Sequence, residues 1–91
     1  MQISVTVPSL LRDCTGDQTG FTLEAGTVAE ALREMLERYP LLRFHLYDDA
    51  EKLRPHLLIY YNEQNIAWLE SLDEPLRMGD ELLVLQNVSG G

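Results

Sequence analysis

Residues 2–8 alternate: Ile3, Val5 and Val7 are separated by Gln2, Ser4 and Thr6, and Pro8 closes the run. A period of two puts the branched residues on one face, so the segment predicts a strand with one buried side. Residues 20–24 repeat the pattern, with Phe21 and Leu23 opposite Thr22 and Glu24. The intervening Thr15-Gly16-Asp17 favours a turn, and the two strands read as a hairpin.

The period then changes. Val28, Ala31, Leu32, Met35, Leu36 and Tyr39 recur at helical spacing, with Glu30, Arg33, Glu34, Glu37 and Arg38 on the other side. Thr27 followed by Glu30 has the spacing of a capping box, in which each side chain satisfies a backbone N–H at the helix start. Pro40 biases Tyr39 away from helical geometry and ends the helix. Residues 41–54 show no clear period, and Asp48-Asp49-Ala50-Glu51 reads as a solvated loop. Residues 57–61 are continuously apolar, as in a central strand covered on at least one face. Asn62-Glu63-Gln64-Asn65 predicts a turn, Ile66 and Trp68 a short return strand, Gly79-Asp80 another turn, and residues 81–88 a last strand.

The order β-β-α-β-β-β, with one main amphipathic helix, predicts an α+β fold of the β-grasp type: a mixed sheet with the helix across one face. One β-grasp domain over residues 1–88 is expected, followed by a flexible three-residue tail, Ser89-Gly90-Gly91. A chain of 91 residues that is 45% hydrophobic supports one core. A core of that size leaves little room for an enclosed active site, so function is expected at the surface or at an end.

Charge narrows the partners. Fifteen Asp and Glu against seven Lys and Arg give −8, which repels nucleic acid and anionic membrane surfaces and favours a protein partner with a basic docking face. The single Cys14 leaves no internal disulfide. With neither a leader-like start nor an apolar run of membrane-spanning length, the expectation is a cytoplasmic protein.

Catalytic patterns are lacking. The chain has only His45 and His56, one cysteine, and no nucleophile-elbow, phosphate-loop, dinucleotide or zinc-ligand spacing, so it is expected to be neither an enzyme nor the holder of a cofactor or metal. Asp48, Asp49 and Glu51 lack the glycine and terminal glutamate of a calcium loop. The C-terminus differs, because two terminal glycines arise by chance in roughly 0.5% of chains at average usage. They make the narrowest possible peptide, able to carry a carboxylate into a tight pocket. That carboxylate becomes electrophilic once adenylated, and sulfide attack on the adenylate then leaves a thiocarboxylate. A frayed tail without a function is the competing reading.

Thr27-Val28-Ala29-Glu30-Ala31-Leu32, Glu37-Arg38-Tyr39-Pro40, Gly79-Asp80-Glu81-Leu82 and Val88-Ser89-Gly90-Gly91 together resemble the MoaD/ThiS family of ubiquitin-like sulfur carriers, over essentially the whole chain. Within that family, Val7-Pro8-Ser9-Leu10-Leu11-Arg12, Thr15-Gly16-Asp17-Gln18 and Ile59-Tyr60-Tyr61-Asn62-Glu63 look most like the carrier of a thiocarboxylate-dependent cysteine-biosynthesis pathway. The resemblance implies that Gly91 accepts AMP and then sulfur, while Gly90 and Ser89 give access. It also implies three partners: a ubiquitin-activating-type adenylating enzyme, a pyridoxal-phosphate-dependent (PLP) cysteine synthase or other sulfur acceptor, and a metal-dependent peptidase. Gln86-Asn87 depart from the family, standing where many relatives have apolar or proline residues. A small subunit of molybdopterin synthase, a ubiquitin-like modifier joined to lysines, and a plain interaction module remain as alternatives.

Overall fold

The computed structural model of the chain describes residues 1–86. Five strands, β1 (Gln2–Thr6), β2 (Gly20–Glu24), β3 (Leu57–Tyr61), β4 (Gln64–Asn65) and β5 (Glu81–Gln86), form one mixed sheet in the order β2-β1-β5-β3-β4. The β1–β2 hairpin is antiparallel, with Ile3 opposite Leu23 and Val5 opposite Phe21, so both apolar sets share a face. β5 lies at the centre, parallel to β1 with Val5 opposite Leu82, and antiparallel to β3 with Ile59 opposite Val84. This is the β-grasp architecture that the element order predicts.

Helix α1 (Val28–Arg38) covers one face and buries Val28, Ala31, Leu32 and Met35 against the sheet; Leu36 and Tyr39 are half-buried at the margin. Thr27 Oγ1 accepts from the Glu30 N–H at 3.1 Å, which fixes the helix start. The return bond of a capping box, from the Thr27 N–H to the Glu30 carboxylate, is not formed among the described residues. The chain leaves the helix at Tyr39, before Pro40, as predicted.

Two segments depart from the expected pattern. Residues 41–54 contain a second short helix, α2 (Leu42–Leu46), whose Leu42 and Leu46 are wholly buried. One i, i+4 pair is too short a stretch to show as a period in sequence, yet it closes the end of the core. The acidic loop follows it: the Asp48 carboxylate accepts from the Ala50 and Lys52 N–H groups at 2.9 and 3.0 Å, and Glu51 takes a left-handed conformation (φ 62°).

The expected return strand at Ile66 and Trp68 is instead a 3₁₀-helical turn, Ile66–Trp68, and the return strand is the preceding Gln64–Asn65. Asn62 adopts φ 55°, a left-handed geometry asparagine tolerates, so the turn needs only Asn62-Glu63. Asn65 then caps the following turn by accepting from the Ala67 N–H at 2.9 Å. The hairpin loop likewise holds a 3₁₀ helix, Ser9–Cys14, and β1 ends at Thr6 before Pro8. Of the expected last strand, residues 87 and 88 lie outside the described residues.

Candidate functional site

Ser89, Gly90 and Gly91, the residues expected to carry the chemistry, lie outside the described residues, as does the tail boundary after residue 88. The structure describes what precedes them in the chain: the two ends of β5 and the sheet face beside it.

The entry to β5 is tied down by one carboxylate. Asp80 Oδ2 accepts from the Arg77 N–H at 2.8 Å and the Tyr61 hydroxyl at 2.7 Å, and Oδ1 accepts from Asn62 Nδ2 at 3.3 Å. Asn62 in turn accepts from the Glu81 N–H at 3.0 Å through its side chain and donates its own N–H to the Glu81 carbonyl at 2.8 Å. The turn after β3 and the start of β5 are thereby one unit. The preceding Gly79 has φ 89°, which only glycine adopts without strain. The Tyr61 hydroxyl is pushed up to about 12, first by donating to Asp80 and then by burial. Asp80 is held below the usual carboxylate range, chiefly by the Arg77 N–H and then by Tyr61.

The far end of β5 is held on one side. Its ladder with β1 runs from Ser4 opposite Glu81 to Thr6 opposite Leu83, and beyond that Leu85 and Gln86 pair only with Leu58 and Leu57 of β3. Gln86 follows Leu82 and Val84 on the helix-covered side of the strand, and its Oε1 is buried with no hydrogen-bond partner among the described residues. Its polar side chain thus falls at the last described residue of β5.

On the face turned away from the helices, Leu58 lies opposite Leu85 and Tyr60 opposite Leu83. Leu58, Tyr60 and Leu83 are half-buried and Leu85 is 37% exposed. They form a contiguous apolar patch beside the last described residues of β5. The sequence signal for it is that residues 57–61 and 82–85 do not alternate, so each strand has two apolar residues to spare on its second face.

The other candidate groups do not converge. Cys14 is buried at the end of its 3₁₀ helix, where burial first and Asp13 second push its thiol up, away from a reactive thiolate. His45 and His56 are both exposed, and among the described residues no group of three or more His, Cys, Asp or Glu could hold a metal ion. No described helix is long and apolar enough to cross a membrane.

Known proteins resemble this chain along its full length. The model of the ThiS family matches residues 5–91. The sulfur carrier protein CysO of Mycobacterium tuberculosis is 26% identical over 93 residues, covering 100% of each chain. The fold also matches the crystal structure of the Amycolatopsis orientalis BexX/CysO complex (TM-score 0.81, 27% identity, 98% of this chain and 99% of that one). The solution structure of small archaeal modifier protein 1 from Methanosarcina acetivorans matches with a TM-score of 0.78 and 27% identity, over 99% of this chain and 96% of that one.

Proposed function

Because the chain belongs to the ThiS family of ubiquitin-like sulfur carriers, we propose that its Gly91 carboxylate is the sulfur-bearing group. The observation that carries this reading is that the family match runs to residue 91, through the terminal Gly90-Gly91. An activating enzyme of the ubiquitin-activating type joins the carboxylate to the α-phosphate of ATP and releases pyrophosphate. Sulfide then attacks the acyl carbon, AMP departs, and the product is a thiocarboxylate. Ser89 and Gly90 lack the bulk to obstruct a narrow channel, and a Cβ at Gly90 would widen the arm where the reacting carbonyl must pass.

In this reading the chain is a substrate and partner of enzymes and has no catalysis of its own. The apolar patch of half-buried Leu58, Tyr60 and Leu83 with exposed Leu85 suits docking of the activating enzyme, since it includes the strand that precedes the C-terminal residues. The sequence resemblance to the carrier of a cysteine-biosynthesis pathway, together with the likeness to the sulfur carrier CysO, favours delivery of sulfur to a PLP-dependent cysteine synthase, with a metal-dependent peptidase releasing the product. The likeness to an archaeal modifier supports a second reading, in which the same adenylate yields an isopeptide bond to lysines of other proteins.

The test is intact-protein mass spectrometry after incubation with ATP, the cognate activating enzyme and sulfide. The protein should gain the mass difference between sulfur and oxygen, and deletion of Gly91 or Gly90→Ala should suppress that product while leaving the thermal melt unchanged. An undiminished thiocarboxylate yield after deletion of Gly91 overturns the assignment, and a ladder of lysine adducts without thiocarboxylate favours the modifier reading.

A further inference from the structure

The second candidate surface is the free edge of β2. In the β1–β2 ladder, the Ala25 N–H donates to the Met1 carbonyl and the Val7 N–H to the Thr19 carbonyl, both at 2.9 Å. Odd-numbered residues of β2 therefore pair with β1, and Gly20, Thr22 and Glu24 turn their N–H and C=O groups outward. One of these groups is engaged: the Thr22 carbonyl accepts from Arg38 Nη1 at 2.6 Å. The others have no protein partner among the described residues. The opposite edge, β4, is two residues long and runs straight into a 3₁₀ turn, so it offers no comparable template.

Beside the β2 edge lies a groove of about 530 Å³, walled by Thr22, Leu23 and Glu24 on one side and by Glu34, Glu37 and Arg38 of α1 on the other. Its three carboxylates outnumber its one guanidinium, which is already occupied by the Thr22 carbonyl. Glu24 pairs with the Met1 amino group at 3.2 Å, whereas Glu34 and Glu37 form no ion pair among the described residues. The groove is thus an unpaired strand edge with surplus negative charge along its rim.

We propose that the β2 edge and this groove dock an extended, lysine- or arginine-bearing segment of a partner protein, added to the sheet as a sixth strand. Backbone pairing with Gly20, Thr22 and Glu24 supplies the attachment, and Glu34 and Glu37 select basic side chains. Arg38 is a gate, because its guanidinium must leave the Thr22 carbonyl before an incoming N–H can use it. A second copy of the chain is a poor occupant, since it would bring two acidic grooves of a protein of net charge −8 together. This surface is separate from the patch beside the arm, so the proposal stands or falls independently of the sulfur-carrier reading.

The test follows backbone amide shifts of the ¹⁵N-labelled full chain during titration with acetyl-Lys-Val-Lys-Val-Lys-Val-amide. Shifts should concentrate at residues 20–25 and 33–38 and diminish with salt, and the same peptide with Glu in place of Lys should bind more weakly. The double variant Glu34→Gln, Glu37→Gln should weaken binding roughly three- to tenfold, the range expected for two solvent-exposed charge pairs. Arg38→Ala should strengthen it by freeing the Thr22 carbonyl. Amide shifts that stay unchanged outside residues 20–25 and 33–39 in each variant without peptide verify that the fold is intact. The proposal is overturned by shifts at Leu58, Leu83 and Leu85 instead, by equal affinity for the Lys and Glu peptides, by no saturable shift, or by peptide-free self-association through β2.

Discussion

The two faces of the sheet share strands but not composition. Under the helices, Ile3, Val5, Ile59, Leu82 and Val84 are each at most 1% exposed. On the opposite face, β1 and β2 present Ser4, Thr6 and Thr22, whereas β3 and β5 present Leu58, Tyr60, Leu83 and Leu85. The polar half of the open face is what water requires. Its apolar half lies outside the core, and as a contiguous, partly exposed patch it has the character of a binding surface.

The strongest way to break this contrast is Leu82→Ala, which should cost about 2–5 kcal/mol, as a buried leucine does. Urea unfolding measures it, and a cost as small as that of Leu85→Ala would show that the faces are assigned wrongly. Along α1 the same distinction holds: Leu32→Ala belongs in that range, while half-buried Leu36→Ala should cost about 1–2 kcal/mol, in proportion to the area it removes from water. Equal losses at the two positions would mean that the helix is rotated from its described setting.

At the start of β5, Asp80→Ala should cost about 1–2 kcal/mol through the loss of its hydrogen bonds. Since native Asp80 titrates below the ordinary value of about 3.9, its contribution is complete above that pH and lost as pH falls through the native value. The stability curves of the parent protein and Asp80→Ala should therefore converge in acid. Tyr61 has the opposite sign: raised from 10.0 to about 12, it stabilises below pH 10 and loses that contribution between 10 and about 12. A Tyr61→Phe variant whose stability tracks the parent across that alkaline window would deny the Tyr61–Asp80 bond.

The smallest expected effect on stability is also the most informative. Leu85→Ala should change unfolding by no more than about 0.5 kcal/mol, as exposed positions do. If the sulfur-carrier proposal holds, it should nevertheless weaken binding to an activating enzyme, as surface plasmon resonance would read. Loss of stability without loss of binding would return the open face to a structural role.

How far these features are legible in sequence depends on whether a residue's partners are near it in the chain. The hairpin, α1 with its Thr27 cap, and the Gly79-Asp80 turn each rest on local periodicity or backbone preference, and each forms where the pattern indicates. α2 was invisible because a single buried pair, Leu42 and Leu46, carries no period. Ile66 and Trp68 misled because their alternation coincides with a turn set by the Asn65 side chain. At the candidate site, the terminal glycines are evident from sequence alone. The Asp80 network joins residues up to 19 positions apart, and the Arg38 contact with Thr22 spans 16, so neither has a local signature.

The placement of β5 has a kinetic meaning. It is the sole link in the ladder between the β2–β1 pair and the β3–β4 pair. Until Glu81–Gln86 has been synthesised, the nascent chain holds two separate hairpins, each too small to persist in water alone. Closure then depends on contacts such as Ser4 with Glu81, among the most distant in the sequence, so refolding should be slower than for a helical bundle of similar length. The sheet is completed by its last strand, so a nascent chain cannot close its tertiary structure before residues 81–86 are free to pair.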